Sequence, residues 1–269
     1  WLIKTDSQGN EEWEKNYGGD CFDVGGAVQE TEDGGYIITG SLRMERENGW
    51  CNDKDVWLIK TDSNGNIEWE NTFDYNLYDD WGMSVKQTAD GGYIILGTKD
   101  INIVGIPHDI WLIKTDSQGN ELWNKTIEGD NTYGNTGENT LYSIQQTFDG
   151  GYILAGRICC NNSIFRPMKV LIKIDSQGSK ERTHNYTGSH LPLDYSLRTH
   201  SFTSVQQTFD GGYLVAQNTP DAANPSSAMK VDSGGNGVWG VSDSSLRRAY
   251  SVQETSDGGC IVVGTNAIK

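Results

Sequence analysis

Basic charge is scarce: 21 Lys and Arg stand against 37 Asp and Glu, giving a formal net charge of −16. A chain this acidic does not neutralise phosphates, which argues against nucleic acid or an anionic membrane surface as partner and favours solubility. No stretch approaches eighteen consecutive apolar residues, so no membrane-spanning helix is encoded and no membrane insertion is expected. Trp1 is not preceded by Met and opens no secretion leader, which is read as an upstream segment removed or not shown. The four histidines, His108, His184, His190 and His200, share no ligand spacing, and the five cysteines are few and odd in number. Neither a Gly-rich phosphate loop leading into a helix nor a nucleophile elbow is present. The Asp62-Ser-Asn-Gly-Asn run fails as a calcium loop, because its glycine comes too early and Phe73 stands where a bidentate glutamate is needed. No cofactor and no metal ion are expected.

What is present is repetition. WLIKTDSQGN at Trp1, WLIKTDSNGN at Trp57 and WLIKTDSQGN at Trp111 are followed by the worn copies VLIKIDSQGS at Val170 and SAMKVDSGGN at Ser227. A second phrase alternates with the first: VQETEDGGYIITG from Val28, VKQTADGGYIILG from Val85, IQQTFDGGYILAG from Ile144, VQQTFDGGYLVAQ from Val205 and VQETSDGGCIVVG from Val252. A period slightly above fifty residues points to a propeller, solenoid or array. Within one repeat apolar residues alternate and Val, Ile, Tyr, Trp and Thr dominate, which is a strand pattern with no helical period. Asp-Gly-Gly closes a hairpin between strands A and B. Asp-Ser-x-Gly-Asn closes one between strand C, carrying Leu-Ile-Lys, and strand D, ending near Trp13, Trp69, Trp123 or Trp239. Four short antiparallel strands per repeat make a propeller blade.

The expected fold is therefore all-β, a five-bladed β-propeller in one domain over residues 1–269, with repeats starting near 1, 57, 111, 170 and 227. The sequence opens on a C and D pair and closes on an A and B pair. Pairing these halves would complete the fifth blade and close the ring without free edges, although a slice of a longer array shows the same phase.

In such a blade the A to B and C to D turns share one face, and the B to C and D to A loops share the other, where the copies differ. Binding residues gather on such loops, although drift in solvent-exposed connections gives the same pattern. Trp50 and Trp81 lie there outside the repeated positions, with Tyr75, Tyr78, Asp79 and Asp80, and form one candidate binding patch. A second is formed by Phe165, Arg166, His190, Tyr195, Arg198 and His200. Cys21 and Cys51 flank the same blade on this face, a placement that makes a disulfide feasible in an extracellular protein. Asn124, Asn161 and Asn185 match the N-glycosylation sequon, as chance also allows in a chain rich in Asn, Ser and Thr. Two breaks in the pattern stand out: Cys260 replaces the strand B tyrosine, read as a packing change, and Arg182 replaces the strand D tryptophan.

The Leu-Ile-Lys to Asp-Ser-x-Gly-Asn to Trp run, with Asp-Gly-Gly-Tyr upstream, resembles the extracellular propeller repeats of archaeal and bacterial surface proteins and, distantly, quinoprotein-type blades. The resemblance implies an extracellular or cell-surface module for adhesion, sugar binding or assembly. The expectation is a non-catalytic protein presenting its variable face to a glycan or protein partner, within a surface layer or filament, with self-assembly open. The alternative is a glycoside-active enzyme, which would need carboxylates from at least two blades converging around the central funnel. Its candidates are Glu30 and Glu254, at one repeat position where Gln87, Gln146 and Gln207 stand elsewhere, and Asp23 and Asp80 ahead of strand A.

Overall fold

The computed structural model describes residues 1–45, 51–75, 79–99, 109–127, 140–159, 167–186, 201–218, 227–242 and 246–266. Among them every element is a β-strand and every pairing is antiparallel. The chain divides into two compact units, Trp1–Asn102 with Trp111–Thr126, and Ile103–Ile110 with Ile127–Lys269.

The first unit carries a two-stranded sheet, β1 (Leu2–Thr5) and β2 (Glu11–Lys15), then a four-stranded sheet of β3 (Val24–Glu30), β4 (Tyr36–Glu45), β5 (Cys51–Thr61) and β6 (Ile67–Phe73). It also holds most of a second four-stranded sheet, β7 (Trp81–Gln87), β8 (Tyr93–Lys99), β9 (Asp109–Thr115) and β10 (Glu121–Ile127). The second unit carries β11 (Thr140–Gln146), β12 (Tyr152–Cys159), β13 (Pro167–Ile174) and β14 (Lys180–Tyr186) as one sheet. A further sheet holds β15 (Ser201–Gln207), β16 (Tyr213–Asn218), β17 (Ser227–Val231) and β18 (Gly237–Ser242), followed by the two-stranded β19 (Leu246–Glu254) and β20 (Cys260–Asn266). Strands are hydrogen-bonded in chain order throughout, as the A-B-C-D reading requires. Among the described residues β1–β2 and β19–β20, the pairs expected to join in a fifth blade, each form a sheet of two.

The two glycines of Asp-Gly-Gly have different jobs. Gly34 takes φ +81°, a left-handed conformation that few other residues adopt without strain, whereas a Cβ on Gly35 would lie 2.0 Å from the Thr61 carbonyl oxygen. The first glycine makes the turn and the second lets strand C pass close. The turn aspartate is also tied to strand C. Lys60 Nζ, in a side chain 4% exposed, meets Asp33 Oδ2 at 2.9 Å and Glu68 Oε2 at 3.0 Å. Lys114 with Asp90, Lys173 with Asp149 and Lys230 with Asp210 repeat the pair. The repeated Asp and Lys are thus one structural device, which explains why both words recur together.

Sheets pack face to face within each unit. Ile37, Val56, Leu58 and Phe73 of the β3–β6 sheet meet Val85, Tyr93, Ile95, Trp111 and Ile113 of the next. In the second unit Ile153, Ala155 and Leu171 meet Phe202, Val205 and Val215, and Leu214 and Ala216 meet Val252 and Ala249. Trp69 packs at 5.7 Å, tilted, against Tyr93 of the following sheet, and Trp13 meets Tyr36 edge-on at the same distance, so these repeated tryptophans pack between blades. At the Arg182 position the guanidinium donates to the Ser233 carbonyl instead, and the β11–β14 sheet keeps all four strands.

Candidate functional site

Glu254 is not poised for catalysis. Its backbone N–H donates to Gln206 Oε1 at 2.7 Å, and its carboxylate accepts from the Phe209 N–H at 2.9 Å. Gln207 does the same with Gln145 and Phe148, and Gln87 with Gln29 and Glu32. The repeat position is therefore a latch between neighbouring sheets, with a carboxylate doing in one copy what an amide does in others. Glu30 holds this position on β3 and is exposed.

Asp23 and Asp80 are anchors for loops. Asp23 accepts from the Arg43 N–H at 2.9 Å and the Gly19 N–H at 3.0 Å. Asp80 is buried, accepts from the Tyr75 N–H at 3.0 Å and donates its own N–H to the Lys54 carbonyl at 2.6 Å. Asp79 accepts from the Lys54 N–H at 3.1 Å and pairs with Arg43 at 3.2 Å. The first aromatic patch is thereby built into the fold. Lys54 Nζ lies 4.9 Å from the Trp81 ring centre, Lys99 Nζ lies 3.2 Å from that of Tyr75, and Tyr75 meets Trp111 edge-on at 5.9 Å. Trp81 is half-buried, while Tyr75 keeps 45% of its surface exposed. Trp50, Tyr78, Phe165, Arg166, His190, Tyr195, Arg198, His200 and Asn161 lie outside the described residues. Asn124 accepts from Trp111 Nε1 at 3.3 Å and donates to Glu121 at 2.6 Å, and Asn185 is exposed on β14. Cys21 and Cys51 are joined in a disulfide, Cα to Cα 5.9 Å.

The structure assembles a group that sequence reasoning passed over. Carboxylate oxygens of Asp53, Asp55 and Asp74 lie within 4.8 Å of one another. Asp53 and Asp55 alternate along β5, and Asp74 follows Phe73, the register partner of Val56, which sets it beside Asp55. Asp53 and Asp55 lie on β5 and Asp74 just after β6, so one sheet supplies the group and the expected convergence of carboxylates from two blades is corrected to carboxylates of a single blade. Burial, and then the charges of Asp74 and Asp53, push the Asp55 carboxyl up to about 6. Asp55 faces Leu42 across the β4–β5 ladder and stands two residues from Trp57, so its side chain shares their face of the sheet. Leu42 and Trp57 line a cavity of about 490 Å³ together with Asn16, Tyr17, Asp20 and Glu70. Glu70 is held there by the Trp57 indole N–H at 3.0 Å. Three hard oxygen donors would suit calcium or magnesium rather than zinc. They equally suit acid–base work, because burial and the neighbouring like charges disfavour the ionised form of Asp55.

No family model and no curated protein matches the chain. Among solved structures it is similar to a luciferin-regenerating enzyme, at 9% identity, over 91% of this chain and 71% of that one, with a TM-score of 0.50. It is also similar to a GH43 β-1,3-galactosidase with galactodeoxynojirimycin, at 9% identity, 96% and 87% coverage and a TM-score of 0.49. An α-L-arabinofuranosidase from Clostridium thermocellum follows at 12% identity, 81% and 72% coverage and a TM-score of 0.46. At such identities the likeness is one of fold. It nevertheless removes the ground for expecting a non-catalytic module and a chain that is not an enzyme, since the same fold is carried by a luciferin-regenerating enzyme.

Proposed function

We propose that this chain is a glycoside-active enzyme whose acid–base centre is the Asp53, Asp55 and Asp74 group beside the Leu42 and Trp57 cavity. The observation that carries the proposal is Asp55, a carboxyl raised to about 6 with two further carboxylates within 4.8 Å. A glycosidase needs one carboxylic acid to protonate the departing oxygen and one carboxylate to act on the anomeric carbon or its water. Burial and the neighbouring carboxylates raise Asp55 toward the first task, and Asp74, exposed beside it, is placed for the second. Oxygens this close match the retaining arrangement, in which the carboxyls stand about 5 Å apart and the second is the nucleophile. Asn16, Tyr17 and Asp20 supply the amide, ring and carboxylate with which a sugar's hydroxyls and apolar face are held. The Cys21–Cys51 disulfide supports an oxidising, extracellular setting for this chemistry.

The experiment is to incubate the full chain with 4-nitrophenyl glycosides, beginning with the α-L-arabinofuranoside and β-D-galactoside that the names of the similar enzymes suggest. Release of nitrophenol by the wild type and its loss in Asp55→Asn and Asp74→Asn are expected. Release that both variants retain, or none from any glycoside, overturns the proposal.

A further inference from the structure

The three carboxylates sit where their own ladders give out. The β5–β6 pairing ends at Val56 and Phe73, so its hydrogen bonds do not extend to Asp74 or hold it beside Asp55. The β4–β5 ladder shifts register between Arg43 and Glu45, just past the Arg43 and Lys54 pair, and Asp53 falls in that step. Continuing the β5–β6 register by two residues would set Lys54 opposite Tyr75. Their hydrogen bonds go elsewhere. The Lys54 N–H donates to Asp79 Oδ1 at 3.1 Å, the Lys54 carbonyl accepts from the Asp80 N–H at 2.6 Å, and the Tyr75 N–H donates to Asp80 Oδ2 at 3.0 Å.

The placement of those two backbone units gives Asp80 its importance. Lys54 lies between Asp53 and Asp55, and Tyr75 follows Asp74 directly. Asp80 therefore grips both segments of the group, one through its N–H and the other through its carboxyl oxygen. With 1% of its surface exposed, it makes these bonds where water does not compete, and a hydrogen bond in such surroundings is stronger than in solvent. Its own position is fixed by the next sheet, since Trp81 opens the β7–β8 ladder opposite Thr98. Asp79 adds a second tie by pairing with Arg43, which faces Lys54 across the β4–β5 ladder. Neither Asp79 nor Asp80 is among the charges that raise the Asp55 carboxyl, so their part in the group is mechanical.

We propose that Asp80 is the positioning residue of the acid–base group, holding Asp74 within 4.8 Å of Asp53 and Asp55 through its hydrogen bonds to the Lys54 and Tyr75 backbone. The inference rests on the assignment of that group as the catalytic centre. Loss of the grip frees Asp74 to move relative to Asp55, and a misplacement of about 1 Å costs about 10²-fold in rate.

The test compares Asp80→Ala with Asp80→Asn, which keeps an oxygen for the Tyr75 N–H, in the full chain. On a 4-nitrophenyl glycoside that the wild type cleaves, Asp80→Ala is expected to lose about 10²-fold in kcat with KM within about twofold, and Asp80→Asn to lose less than about tenfold in kcat. Crystal structures of the wild type and Asp80→Ala are expected to show the Asp74 carboxylate carried beyond 4.8 Å from Asp55 in the variant. Wild-type kcat in Asp80→Ala, an equal loss in both variants, or an Asp74 and Asp55 pair that has not moved overturns the proposal. Should Asp80→Ala not fold, Asp79→Ala takes its place in both measurements, since it removes the Lys54 N–H acceptor at a side chain 28% exposed. A fall in kcat of about tenfold at unchanged KM then supports the grip, and wild-type kcat overturns it. A wild type that cleaves no glycoside overturns the catalytic reading alone, and the crystal structures then decide whether Asp80 positions the three carboxylates.

Discussion

The backbone N–H of Gln207 donates to the side-chain oxygen of Gln145 at 2.6 Å, and the Gln207 side chain accepts in return from the Phe148 N–H at 2.8 Å. One residue type at one repeat position thus joins two sheets from both sides. Replacing Gln145 with Ala removes the acceptor and leaves a part-buried N–H unpaired, which is expected to cost about 1–2 kcal/mol. Chemical denaturation should show a lower midpoint at unchanged slope, and Gln145→Glu, which keeps an oxygen, should lose less.

The Lys to Asp pairs set the acid limit of stability. Lys60 hydrogen-bonded to Asp33 holds that carboxyl down to about 2, and Lys230 does the same for Asp210. A folded-state value below the unfolded one of 3.8 means that the contribution is complete above pH 4 and is lost as pH falls through 2. Melting temperature should therefore drop steeply between pH 4 and 2, and Lys60→Met should flatten that part of the curve. An unchanged profile would show that the pair contributes nothing.

The Cys21–Cys51 disulfide closes a loop of sequence separation 30 and ends two residues before Asp53. Constraint of the unfolded chain by a loop of this size is worth about 3–4 kcal/mol, less any native strain. Reduction, or the double Ser variant, is expected to lower stability by about that amount, read from denaturation with and without reductant.

Trp81 covers Lys54 and sits at the start of β7, beside the buried Asp80. Trp81→Ala is expected to destabilise by about 1–3 kcal/mol as a half-buried aromatic truncation. A variant that melts like the wild type would return this ring to the free surface suggested by its place outside the repeat.

The strands, their pairing and both turn types were legible because they depend on local residues: alternating apolar positions, and Gly34 or Gly65 in left-handed backbone. The Lys60 to Asp33 pair could have been read from the joint recurrence of Lys and Asp, and the latch from the recurrent Gln. Asp55 could not. It precedes the repeated Trp-Leu-Ile-Lys word, Asp74 lies nineteen residues further on, and only the β5–β6 register makes them neighbours. Ring closure was illegible for a different reason. A closed ring and an open array of the same repeats have identical sequences through every internal interface, so the repeats do not distinguish them.

The pH dependence of glycoside hydrolysis, measured for the wild type and Asp55→Asn, tests the central claim most directly. Asp55 raised to about 6 must be protonated to act as the acid, so the wild-type rate should fall as pH rises through about 6. Asp55→Asn should lose about 10²–10⁴-fold in rate and lose that limb of the profile, as removal of a general acid does. The same variant should be more stable than the wild type at pH 7, by up to about 3 kcal/mol, because folding no longer desolvates a charge. A wild-type profile with no transition near 6, or full activity in Asp55→Asn, would contradict the account.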